Sequence, residues 1–161
     1  MSARHRLVAV YADESCLGNG KQGATPGGAG GLVEFQPRAG ELVCRDFWIS
    51  EPDTTNNRMA LQSVIQAFTH LSGKGEQLSV VFTTDSRYLV DGMTQWVHGW
   101  ARKQWRKADR KPVENLGLWH QALSVVSAGG HEVEWRWVKG HANDPGNERA
   151  DQLANAGVPS I

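Results

Sequence analysis

Leu61, Val64, Ile65, Phe68 and Leu71 follow one another at spacings of three and four. That spacing draws one apolar stripe along a helix and predicts an amphipathic helix there. Residues 78–83 (Leu-Ser-Val-Val-Phe-Thr) form the strongest strand signal in the chain, a short run rich in β-branched and aromatic side chains. Residues 7–12 read as an earlier strand, 31–35 and 42–49 as two more, and 132–138 alternate as a fifth. Helices are expected from residue 86 to about 97 and from 115 to 126. A last helix has a clear start, with Asp144 as N-cap and Pro145 in the first helical position. Strands first, then strands alternating with helices, predict an α/β domain: a five-stranded mixed sheet flanked by helices in three layers.

The chain has 161 residues, the size of one domain, so residues 1–161 are taken as a single unit. Hydrophobic residues make up 40% and charged residues 21%, which excludes a disordered or collagen-like chain. No run approaches the roughly 20 apolar residues a membrane span needs, and the apolar start is too short for a secretion signal. Cys16 and Cys44 cannot build a disulfide framework or a four-ligand zinc site. The expectation is a soluble, cytoplasmic monomer with reduced thiols.

Gly18-Asn19-Gly20-Lys21-Gln22-Gly23 fits the spacing of a dinucleotide-binding loop. That loop must open a helix, because the pyrophosphate rests on a helix N-terminus. Thr25-Pro26-Gly27-Gly28 follows instead, and it reads as turn chemistry. No nucleotide cofactor is expected.

Three aspartates are better placed. Asp13 and Asp85 fall at the ends of the first and the strongest strand, where ligands gather in sheets of this class. Asp151 stands beside the apolar stripe Ala150, Leu153 and Ala154 of the last helix. Three converging carboxylates repel one another unless a cation neutralises them, and Mg²⁺ suits an oxygen-only set. Aspartates at strand ends also serve as plain helix caps. His141 lies in a loop that joins the fifth strand to the helix carrying Asp151.

Lys plus Arg and Asp plus Glu each number 17, so the net charge is zero. The distribution is uneven. Residues 98–112 hold Arg102, Lys103, Arg106, Lys107, Arg110 and Lys111 against Asp109 alone, interleaved with Trp100 and Trp105 and preceded by Trp96. Cations and rings so mixed can grip a nucleic-acid backbone. A solvated helix face with its tryptophans in the core fits the same pattern.

Read together, these segments resemble type 1 ribonuclease H. Tyr11-Ala12-Asp13-Glu14-Ser15-Cys16 looks like that family's first strand, and Thr54-Thr55-Asn56-Asn57-Arg58-Met59 like its helix start. Thr84-Asp85-Ser86 looks like its second aspartate motif, and residues 94–119 are similar to the basic handle of bacterial members. Trp137-Val138-Lys139-Gly140-His141-Ala142 and Asn147-Glu148-Arg149-Ala150-Asp151 match the closing motif.

The resemblance implies a hydrolase acting on the RNA strand of RNA/DNA hybrids with two divalent ions, Mg²⁺ or Mn²⁺ in its place. Products would carry 3′-OH and 5′-phosphate ends. It further implies that Asp13 serves both ions and that Asp85 and Asp151 serve one each, while His141 helps turnover. Cys16, Asn19, Asn56 and Asn57 would face the minor groove, where the 2′-OH marks RNA. Thr55, Trp96, Trp100 and Trp119 would hold the DNA strand and the handle side.

The departures matter as much. Ala60 occupies the family's fourth carboxylate position, as a natural variant or a silencing substitution. On the flank of the helix's apolar face, a longer side chain there could reach the strand ends. Water or Glu14 could supply the missing ligand, although alternation along a strand argues against Glu14 except at a frayed end. Arg87 replaces a common glutamine. A hybrid-binding module that does not cut, and a generic basic nucleic-acid binder, fit the same residues.

Overall fold

In the computed structural model the described residues are 6–16, 26–35, 43–72 and 76–139. They form strands β1 (Arg6–Cys16), β2 (Gly27–Phe35), β3 (Val43–Glu51), β4 (Leu78–Thr84) and β5 (Glu132–Trp137). Helix α1 (Asn56–Ser72) follows β3. After β4 come α2 (Arg87–Asp91), a π-helical turn (Gly92–Trp96) and α3 (Val97–Arg102), and α4 (Leu116–Ala128) precedes β5.

The strands form one mixed sheet in the order β3-β2-β1-β4-β5. The first three pair antiparallel, whereas β1, β4 and β5 run parallel. The expected five-stranded mixed sheet is therefore the observed one.

Alternation along the strands sets the core. Val8, Val10 and Ala12 of β1 and Leu78, Val80 and Phe82 of β4 are buried with Leu61, Val64, Phe68 and Leu71 of α1. Phe68 stacks against Phe82 with ring centroids 6.2 Å apart. Burying each such side chain contributes about 1.5–3 kcal/mol. Helix α4 adds Leu118, Trp119 and Ala122 to the same core. The described helices thus cover one face of the sheet. The helix expected after Asp144, which would supply the third layer, lies outside the described residues.

Beyond shifts of one or two residues, three differences from the expectation stand out. Strand β1 continues to Cys16, because its antiparallel partner β2 extends to the Cys16–Gly27 pair while its parallel partner β4 stops at Ala12–Thr84. The glycines from Gly27 to Gly31 are strand and not turn. At Gly31 a Cβ would overlap the Phe47 ring and crowd the Tyr11 carbonyl, so the bare backbone lets three strands close up. The helix expected from residue 86 to 97 is interrupted by the π-helical turn. There a Cβ on Gly92 would overlap the Trp119 ring.

Candidate active site and nucleic-acid interface

Strand directions bring Asp13, Asp85 and the start of α1 to one edge. β3 runs parallel to β1, so the carboxyl ends of β3, β1, β4 and β5 share one side of the sheet. Neighbouring strands lie about 4.8 Å apart. Asp13 and Asp85 each come one residue after the paired Ala12 and Thr84, the last pair of the β1–β4 ladder. They follow on neighbouring strands just past the end of that ladder.

Ala12 and Thr84 belong to the buried α1 side, so alternation along β1 turns Asp13 to the opposite face. Asp13 is only 2% exposed, and Asp85 is partly buried. Burying a carboxylate is costly unless hydrogen bonds or a cation offset it.

The backbone around Asp85 is held on both sides. Val138 N–H donates to the Thr84 carbonyl at 3.0 Å, and the Trp137 indole Nε1–H donates to the Asp85 carbonyl at 3.1 Å. Ser86 N–H donates to the Thr84 hydroxyl, and the Ser86 hydroxyl accepts from Leu89 N–H to cap α2. The Arg87 guanidinium lies 4.8 Å from the centroid of the Trp137 ring and 3.9 Å from the Asp91 carboxylate. The closing motif includes Trp137 but gives it no role of its own, because its partner is a main-chain atom 52 residues away.

On the same edge, Thr55 caps α1, its hydroxyl accepting from Arg58 N–H at 3.2 Å. Asn57 is exposed and Asn56 partly buried in the first turn. Ala60 is fully buried with Met59 and Leu61 on either side. It sits within the apolar core, deeper than the flank position its sequence suggested. Glu14 pairs with Ala29 inside the regular ladder and Cys16 with Gly27 at its end, so residue 14 is not at a frayed strand end. Asn19, His141 and Asp151 lie outside the described residues.

The donor set at Asp13 and Asp85 is oxygen-only, as Mg²⁺ or Mn²⁺ prefers. Among the described residues no three His, Cys, Asp or Glu side chains gather to hold a metal, and the third expected ligand, Asp151, is not among those residues. The described pair fits such an ion as part of a larger set.

Past α3 the chain makes a basic excursion. Arg102, Lys103, Arg106, Lys107, Arg110 and Lys111 are all exposed. Lys107 N–H donates to the Lys111 carbonyl at 2.8 Å and Val113 N–H to the Trp105 carbonyl at 3.1 Å, which closes the loop. Gln95, Trp96, Trp100, Lys103, Arg106 and Lys107 line an open groove of about 430 Å³. Trp96 is 38% exposed and Trp100 partly buried, their ring centroids 5.8 Å apart.

Trp119 corrects its expected role. It is fully buried, and its Nε1–H donates to the Tyr88 hydroxyl at 2.8 Å. Trp119 therefore supports Trp100 from below, with ring centroids 5.3 Å apart, and offers no surface to a nucleic acid.

Away from this edge, Cys44 is an exposed free cysteine on β3. Slight desolvation, then the Glu34 and Asp46 carboxylates, push its thiol above the ordinary range.

The sheet order, the neighbouring aspartates at its carboxyl edge and the basic excursion together define a ribonuclease H-like fold. A family model described as RNase H matches residues 5–159, and the chain belongs to that family. It is 47% identical to the ribonuclease H of Verminephrobacter eiseniae (strain EF01-2), over 94% of this chain and 90% of that protein. Among solved structures, LC9-RNase H1, described as a type 1 RNase H with the type 2 active-site motif, superposes with a TM-score of 0.87. It is 56% identical, with 98% of this chain and 74% of that one covered. LC11-RNase H1 in complex with an RNA/DNA hybrid shares the fold, with a TM-score of 0.60 and 18% identity over 94% and 96% of the two chains. No described helix is long and apolar enough to cross a membrane.

Proposed function

We propose that this chain is an endoribonuclease that hydrolyses the RNA strand of RNA/DNA hybrids at the edge where Asp13 and Asp85 meet. The observation that carries the reading is the β1–β4 register, which sets a buried aspartate beside a second one. The 47% identity to a ribonuclease H supports it.

Asp13, Asp85 and Asp151 would hold two divalent ions, Mg²⁺ or Mn²⁺ in its place, with Asp13 shared between them. When bound, such ions activate water and stabilise charge on the scissile phosphate. The protein's own residues do the rest. Asn56 and Asn57 at the start of α1 present amide groups along the same edge, suited to the RNA 2′-OH. Cys16 and Asn19 would extend that contact. Thr55 would hold the DNA strand with Trp96 and Trp100, while Lys103, Arg106 and Lys107 meet its phosphates. His141 would move a proton during turnover.

Ala60 leaves the set one carboxylate short of the family's four, which favours a second reading, a hybrid-binding module that does not cut. The test is incubation with labelled RNA/DNA hybrid, duplex DNA and duplex RNA, in Mg²⁺ and in Mn²⁺. The nuclease reading expects cleavage of the RNA strand in the hybrid alone, lost on chelation. Tight, salt-sensitive hybrid binding without cleavage in either metal would replace it with the second reading. Equal binding of hybrid and duplex DNA would leave only a generic basic binder.

A further inference from the structure

We infer that Trp137 is a positioning residue for Asp85, and that Arg87 holds its indole in place. The inference rests on the proposed metal site, because its effect is read there.

Five contacts carry it. The indole N–H reaches the carbonyl of Asp85 itself, 3.1 Å away. The neighbouring main chain is already fixed, with Val138 N–H on the Thr84 carbonyl and the Thr84 hydroxyl on Ser86 N–H. The peptide that sets the direction of the Asp85 side chain is therefore held by Trp137. The indole is 40% exposed, so the core does not fix its orientation unaided. The Arg87 guanidinium, 4.8 Å from its centroid and tied to Asp91, covers one face of the ring. Cation–π contacts of this kind stabilise a chosen ring orientation.

The acceptor is main chain, so removing the donor leaves every candidate ligand in place and changes only how firmly one is aimed. Metal sites depend on such supporting hydrogen bonds, whose loss typically costs about 10- to 100-fold. A single neutral hydrogen bond at a half-exposed place predicts less, about three- to tenfold.

The test compares the parent chain with Trp137→Phe, which keeps a ring and removes the N–H, and with Arg87→Gln. Mn²⁺ affinity is measured by calorimetry without substrate, and kcat and KM are measured on hybrid. The expected result for Trp137→Phe is Mn²⁺ binding weaker by about three- to tenfold. A matching fall in kcat is expected, with KM shifted by less than about twofold. Arg87→Gln weakens Mn²⁺ binding by less, and adds nothing in the Trp137→Phe background, the signature of residues acting through one path.

Unchanged Mn²⁺ affinity in folded Trp137→Phe overturns the inference, and so does an effect confined to KM. Additive effects of the two substitutions overturn the part assigned to Arg87. Calorimetry needs no turnover, so a parent that binds Mn²⁺ but never cuts hybrid defeats the hydrolytic reading while the comparison still decides this one. A parent that binds no Mn²⁺ overturns both.

Discussion

The indole N–H of Trp119 donates to the hydroxyl of Tyr88 at 2.8 Å, 31 residues away in sequence. The same hydroxyl accepts from the Asn115 side-chain amide at 3.3 Å. One phenol oxygen thus ties α2 to α4, underneath the tryptophans of the basic excursion. Tyr88→Phe removes that acceptor and leaves a buried N–H without it, at a cost of about 1–3 kcal/mol. For a domain this size the melting temperature should fall by roughly 3–10 °C in calorimetry. An unchanged Tm would show that the link carries no stability.

The basic groove should act through phosphate charge. Lys103→Ala with Arg106→Ala is expected to weaken hybrid binding. The slope of log affinity against log salt should become shallower by about 0.9 for each phosphate that is no longer neutralised. KM should rise more than kcat falls. Binding measured across a salt series checks this, and an unaltered slope would remove the groove from the interface.

Residue 60 is a buried position, so Ala60→Glu places a carboxylate where water is excluded. Without metal it should lower Tm by roughly 4–8 °C, corresponding to about 2 kcal/mol. A buried carboxyl has a raised pKa. The penalty is therefore full above the raised value, shrinks as pH falls from there, and is gone below the ordinary glutamate range. Added Mg²⁺ should recover part of the loss and raise hybrid cleavage above the parent. Thermal scans with and without metal, beside an activity assay, check both halves. A variant equally stable with and without Mg²⁺ and no more active would show that residue 60 does not face the metal site.

The regular parts of the fold were legible in the chain. Phe68 and its neighbours repeat at helical spacing, and residues 78–83 carry the β-branched and aromatic run of a buried strand. What stayed hidden depends on partners distant in sequence. The glycines before Leu32 have no side-chain pattern; their pairing with β1 and β3, and the Phe47 ring pressed on Gly31, make them strand. Asp13 was expected at a strand end. It lies three residues inside one, where the parallel partner stops and the antiparallel partner continues.

The candidate site was legible in the same uneven way. Strand ends point to Asp13 and Asp85, and the register sets them on neighbouring strands. Trp119 was misplaced because a tryptophan near a basic run reads alike whether it faces solvent or core. Trp137 carried no separate signal, since its acceptor is a carbonyl that any residue supplies.

Replacing Asp13 with asparagine tests the central claim most directly. Asparagine keeps the size of the side chain and removes its charge. RNA-strand cleavage of a labelled RNA/DNA hybrid in Mg²⁺ should fall by at least about 100-fold, on the order of 3 kcal/mol of lost transition-state stabilisation. Hybrid binding should persist. Cleavage by Asp13→Asn at the parent rate would contradict the account, because the edge where Asp13 meets Asp85 would then not be the active site.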